Sequence, residues 1–227
     1  TILAFTLPAG DAKQLLLSAS HTDSPMFKLK NVYEAPAFET YGRLDTEVYG
    51  GTILSSWMDR PLSLAGRAVV RDGNVYRAEL FCFDRDLMVI PNVAIHMNRT
   101  VNSGYAFNPA VDMLPLYSMW GSSPALSDLL AKQLGCKKEN LVGLDAFVYN
   151  RMAGSVWGAA EEFFSAPRID NLMCLYGTLC GFLSAKAQPD SLNLWFSADN
   201  EETGSATKQG AGSAMLSDTL DRICETF

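Results

Sequence analysis

The sequence predicts an α/β protein: a helix-flanked, mainly parallel sheet interrupted by a β-rich insertion. Three observations predict it. Two short apolar runs without helical period, Gln14–Ser20 and Leu192–Ala198, read as buried strands, and each runs into a polar segment. Two other segments, Asn171–Ala185 and Gly212–Glu225, repeat apolar residues at the three-and-four spacing of a helix packed on a sheet. Between them, residues 38–150 carry closely spaced strand-like runs separated by turn signals.

Taken in order, the first strand (QLLLSAS) ends at His21. The insertion offers strand candidates at Val48–Ser56, Ala68–Arg71, Val75–Phe83, Val93–Met97 and Asp145–Tyr149. Asp72-Gly73-Asn74 and Asn108-Pro109 mark turns between them. One helix is expected there. Ser123 would cap it, Pro124 suits its first turn, Leu126, Leu129, Leu130 and Leu134 form its stripe, and Gly135 suits the position after its end. The later helices carry Leu172, Leu175, Tyr176, Leu179 and Leu183, then Met215, Leu216, Leu220 and Ile223. The second apolar strand (LNLWFSA) ends at Asp199. The expected organisation is one domain from residues 1–36 and 160–227, with 37–159 as the insertion.

Bulk properties narrow the function. The 227 residues are 48% hydrophobic and 19% charged, a core-forming balance. A net charge of -7 and a pI near 4.8 disfavour a nucleic-acid partner, because an acidic surface repels phosphates. No apolar run approaches the ~20 residues of a membrane span. No basic segment followed by an apolar one opens the chain, so no signal peptide is expected. The 5 cysteines lack CxxC spacing, which suits a reducing, cytoplasmic setting. Cys174 and Cys180 read as buried helix residues. With 2 histidines, His21 and His96, any metal site must lean on carboxylates. No GxSxG is present to support a serine hydrolase.

Three segments carry candidate chemistry. His21-Thr22-Asp23 follows the first strand, where open α/β sheets present ligand-binding groups. Asp23 is placed to accept the second ring N–H and fix the tautomer of His21 as a metal ligand; a structural histidine is the plainer alternative. Asp170 stands at the start of the Asn171–Ala185 helix, either as a cap or as a carboxylate bridging two cations. Glu201-Glu202 follows the second strand and precedes Gly204. The pair reads as a solvated turn or as a divided set, one carboxylate binding a cation and the other taking a proton from water.

Three motifs, His21-Thr22-Asp23-Ser24-Pro25, Ser165-Ala166-Pro167-Arg168-Ile169-Asp170-Asn171-Leu172 and Asp199-Asn200-Glu201-Glu202-Thr203-Gly204-Ser205, stand in an order and at separations that resemble the aspartyl aminopeptidases. Tyr49-Gly50-Gly51, Trp57-Met58-Asp59-Arg60, Leu64-Ala65-Gly66-Arg67, Ile90 to Met97 and Asn108-Pro109 add to the likeness, which spans nearly the whole chain. The resemblance implies a zinc-exopeptidase-like fold in which the insertion serves as a dimerisation and lid domain. It implies a two-zinc enzyme that removes acidic N-terminal residues from peptides. His21 would ligate one zinc, with Asp23 orienting it. Asp170 would bridge both, Glu202 would bind the second, and Glu201 would be the general base. His96, by its own context a packed strand residue, would contact substrate in a neighbouring subunit's site. Homo-oligomers would form, dimers assembling into larger closed particles. The family pattern places further ligands, an aspartate and a histidine, beyond the equivalent of Phe227, so this chain alone is expected to have little peptidase activity. A related dinuclear peptidase or deacylase of other specificity, and a non-catalytic assembly module, are the alternatives.

Overall fold

The computed structural model describes residues 1–8 and 10–225; Thr226 and Phe227, the end of the segment 160–227, lie outside them. The chain opens with β1 (Ile2–Thr6) and β2 (Gln14–His21). It continues through β3 (Met26–Ala37), β4 (Tyr41–Tyr49), β5 (Leu62–Asp72) and β6 (Val75–Cys82). Next come α1 (Pro109–Asp112), β7 (Leu116–Met119), α2 (Leu126–Leu134) and β8 (Leu141–Asn150). The last part holds β9 (Ser155–Trp157), β10 (Phe163–Ser165), α3 (Ile169–Ser184), β11 (Ser191–Ala198) and α4 (Ala214–Cys224). Two compact units result, Thr1–Pro25 with Gly154–Phe227, and Met26–Ala153. The sequence alone puts these edges several residues later, at 36/37 and 159/160.

In the first unit the sheet order is β1-β11-β2. β11 and β2 run parallel, but β1 pairs antiparallel with β11, so the described sheet is mixed and only its β2–β11 pair has the expected direction. All eight residues of β11 are buried, as a central strand covered on both faces should be. Its successive side chains point to opposite sides. Leu194, Phe196 and Ala198 pack with Leu3, Leu216 and Leu220, which places α4 on one face. On the other, Trp195 donates its indole N–H to Thr178 Oγ1 of α3 at 3.0 Å. α3 turns Leu175, Thr178 and Leu179 partly inward, yet contains no fully buried residue. Leu172, Met173, Tyr176 and Leu183 are exposed. Cys174 and Cys180 are exposed too, contrary to the buried packing role expected of them. The helix packs on the sheet as its three-and-four spacing predicts, but only one of its faces has sheet beneath it, and the two cysteines lie off that face.

In the second unit the sheet order is β6-β5-β8-β3-β4-β7, every pair antiparallel. Phe27, Leu44, Leu62, Leu64, Phe81 and Val148 form its core, and α2 adds Leu126 and Leu130. Gly66 has no alternative: a Cβ there would run into the Asp145 carbonyl oxygen and the Ala146 backbone of β8. Gly135 ends α2 at φ 62°, as expected of a left-handed C-cap. The N-terminus differs. Ala125 occupies the cap position, and the Glu34 carboxylate accepts the Leu126 N–H at 2.6 Å instead. Ser123 accepts from Met119 N. The Val93–Met97 candidate is an exposed turn, not a strand, and Val48–Ser56 leaves its strand at Tyr49 before a short 3-10 turn at Leu54–Trp57. Among the described residues no helix is long and apolar enough to cross a membrane.

Candidate metal centre

Strand register builds the site. β2 and β11 end level with each other, His21 opposite Ala198. Thr22 locks the two ends, its backbone N–H and its hydroxyl both donating to the Ala198 carbonyl, at 2.9 and 3.1 Å. Three residues beyond Ala198 stands Glu201, so the parallel pairing itself delivers the loop 199–205 to His21. Asn200 (φ 58°) and Gly204 (φ 93°) bracket a one-turn 3-10 helix, Glu201–Thr203. Both left-handed residues are types that tolerate that conformation.

Asp23 organises the rest. It is 8% exposed. Its carboxylate accepts the Glu201 N–H on Oδ1 at 3.2 Å and the Glu202 N–H on Oδ2 at 3.1 Å. His21 Nδ1 lies 3.0 Å from the Asp23 carbonyl oxygen and 3.3 Å from Oδ1. Asp23 thus holds the imidazole through its main chain and its side chain together. With Nδ1 donating there, Nε2 is left as the metal-binding nitrogen.

Nε2 lies 3.5 Å from Asp170 Oδ1 and 3.8 Å from Glu201 Oε2. Asp170 stands in the irregular first turn of α3, where it and Asn171 have non-helical dihedrals. The Ser24 hydroxyl donates to its carbonyl at 2.9 Å. Asp170 is 85% exposed and Glu201 53%, while His21 is only 12%. The imidazole is therefore fixed in the floor and the carboxylates are reachable from solvent. Burial, then the neighbouring Glu201 charge, raises the Glu202 pKa above its ordinary 4.5, although His21 acts the other way.

This donor set fits zinc. Ligand atoms of His21, Glu201 and Glu202 lie within 4.8 Å of one another. Atoms this close can face one cation about 2 Å away, or a pair of cations about 4 Å apart, with little movement. The crowded carboxylates also repel one another without a cation between them. His96 lies in the other unit, on an exposed turn. The docking of both glutamate amides on Asp23 was not legible in the sequence, because partners 178 and 179 residues apart leave no local signal.

A family model described as Aminopeptidase I zinc metalloprotease (M18) matches residues 1–227. The chain belongs to this family. It is 42% identical over 234 residues to a probable M18 family aminopeptidase 2 of Clostridium acetobutylicum, covering 100% of this chain and 54% of that protein. It is 30% identical over 245 residues to an aspartyl aminopeptidase of Dictyostelium discoideum, covering 91% of this chain and 50% of that protein. The solved structure of Chaetomium thermophilum mApe1 superposes with a TM-score of 0.87 at 28% identity, over 98% of this chain and 54% of that one. The chain therefore spans about half the length of the curated M18 relatives it matches.

Proposed function

We propose that the chain forms part of a metallo-aminopeptidase that removes N-terminal residues, preferentially aspartate and glutamate, from peptides. One observation carries the reading: His21, Asp170, Glu201 and Glu202 converge beside the ends of β2 and β11. Family membership gives that convergence its chemistry. The preference for acidic residues rests on the name of the Dictyostelium relative.

In this reading His21 would hold one zinc ion and Glu202 a second, with Asp170 a ligand to both. Bound zinc supplies Lewis-acid polarisation of the scissile carbonyl and of water. Asp23 keeps Nε2 of His21 aimed at the site and seats the glutamate loop. Glu201, more than half exposed, takes the proton from the attacking water and delivers it to the leaving amine. The inserted residues 37–159 mediate self-association into dimers and larger closed particles, and His96 contacts the peptide in a neighbouring subunit's site. The setting is cytoplasmic.

Metal content by mass spectrometry and release of N-terminal aspartate from a chromogenic substrate test this. Both are measured on this chain and on one extended at its C-terminus. Two zinc ions and activity are expected only after extension. In the extended chain Glu201→Gln should keep both ions and lose about 100-fold or more in kcat. Undiminished turnover by Glu201→Gln would sink the assignment of the base, and activity without zinc would sink the mechanism.

A further inference from the structure

The Met26–Ala153 unit holds a cleft of about 620 Å³, within the range of roughly 300–1,000 Å³ typical of small-molecule sites. Its walls come from β4, β7, the turn segment 91–98 and the approach to α1. They are largely apolar, with Phe38, Tyr41, Met97, Tyr105, Phe107 and Val111 prominent. Several of these are more exposed than a folded apolar residue usually is: Val111 is 63% exposed and Met97 72%.

One cation faces this lining. Arg43 and Tyr41 are two apart on β4 and so project from the same side of the strand. Arg43 Nε is shielded from solvent and makes no hydrogen bond, and the side chain forms no ion pair among the described residues. A shielded guanidinium nitrogen without an acceptor is costly. The carboxylate in the lining, Asp112, forms no ion pair with it; Asp112 Oδ2 instead accepts the Asn108 N–H at 2.7 Å and the Tyr105 hydroxyl at 3.1 Å. The outer Nη groups of Arg43, without an ion pair among the described residues, are therefore left to meet a ligand beside an aromatic, apolar wall.

We propose that this cleft binds a small apolar carboxylate, an aryl- or alkyl-carboxylic acid whose charged end pairs with Arg43 and whose apolar end lies among Tyr41, Phe107 and Val111. A planar carboxylate matches the guanidinium fork in a way that water or a single hydroxyl does not. The remaining lining offers apolar contact and no second positive charge.

The probe is 3-phenylpropionate, titrated calorimetrically into the full chain in metal-free buffer, so that binding at the His21 site makes no contribution. The uncharged 3-phenylpropan-1-ol is the control. The acid should bind about tenfold or more tightly than the alcohol, as a charge-assisted pair requires. Arg43→Met should reduce the acid to the level of the alcohol, and Val111→Trp, which fills the cleft from an exposed position, should abolish both. Equal binding of acid and alcohol, or a preference that survives Arg43→Met, overturns the proposal. Acid binding untouched by Val111→Trp overturns it as well, even should Arg43→Met fail to fold. Affinity that falls as protein concentration rises would give the cleft to a second copy of this chain and overturn it too.

Discussion

At the scale of single residues, Asp23 and Glu202 show how one small cluster divides its duties. Asp23 spends its two carboxylate oxygens on two backbone amides and its carbonyl on His21. Asp23→Asn presents one oxygen and an NH₂ group, so one of the two amides loses its acceptor. Zinc affinity, read by competition with a coloured chelator, should fall about 10–100-fold, as it does when a ligand's supporting partner is altered. An unchanged affinity would remove Asp23 from the site. Glu202 gives a pH-dependent test. Its folded pKa lies above the ordinary 4.5, so the folded, metal-free chain holds its proton to higher pH than the unfolded chain does. The stability linked to this group is complete below 4.5 and is lost as pH rises through the raised value. Glu202→Gln removes that loss. In chelator, the variant should melt higher than the parent at about pH 7, and the difference should vanish near pH 4. A variant that melts lower at neutral pH would contradict the assigned repulsion and burial.

At the scale of elements, the strands and helices differ in what specifies them. β5 and β8 approach so closely at Gly66 that no side chain fits. Gly66→Ala should destabilise the protein by about 1–3 kcal/mol, the usual cost of overpacking, measured by urea unfolding. A change within ~0.5 kcal/mol would show that the two strands can part locally. β2, β6, β8, β11 and the three longer helices were visible in the sequence, because apolar runs and three-and-four spacing are local signals. β1 and β3 were not. β3 alternates buried Phe27 and Leu29 with Lys28 and Lys30, which pair with Asp145 and Asp45 from neighbouring strands. Those partners are supplied by the fold and not by adjacent residues. Val93–Met97 shows the opposite failure: its composition suits a strand, but among the described residues it joins no sheet.

At the scale of the whole molecule, each unit has its own apolar cluster, and the clusters are unequal. The Met26–Ala153 unit gathers side chains from five of its sheet strands and α2, whereas the other unit's cluster centres on Leu194, Phe196 and Ala198. In that smaller cluster's sheet, among the described residues β2 pairs only with β11, and it exposes Leu15, Leu16 and Leu17, contrary to the buried strand expected there, because no second strand or helix covers those side chains fully. Local stability follows buried apolar contact. Hydrogen exchange read by mass spectrometry should therefore be slower in β5 and β8 than in β1 and β2. Equal protection throughout would mean that the two units unfold as one.

The sequence by itself determined the α/β class, the strand ending at His21 but not its exposure, the helix after Asp170 and the motifs that tie the chain to its family, since each is written in neighbouring residues. Only the tertiary structure decided the mixed sense of the sheet, the exposed outer face of α3, and the seating of Glu201 and Glu202 on Asp23. The reason is range. Periodicity and motif spacing act over a few residues, whereas strand direction, burial and an acceptor for a backbone N–H depend on what the rest of the chain brings alongside.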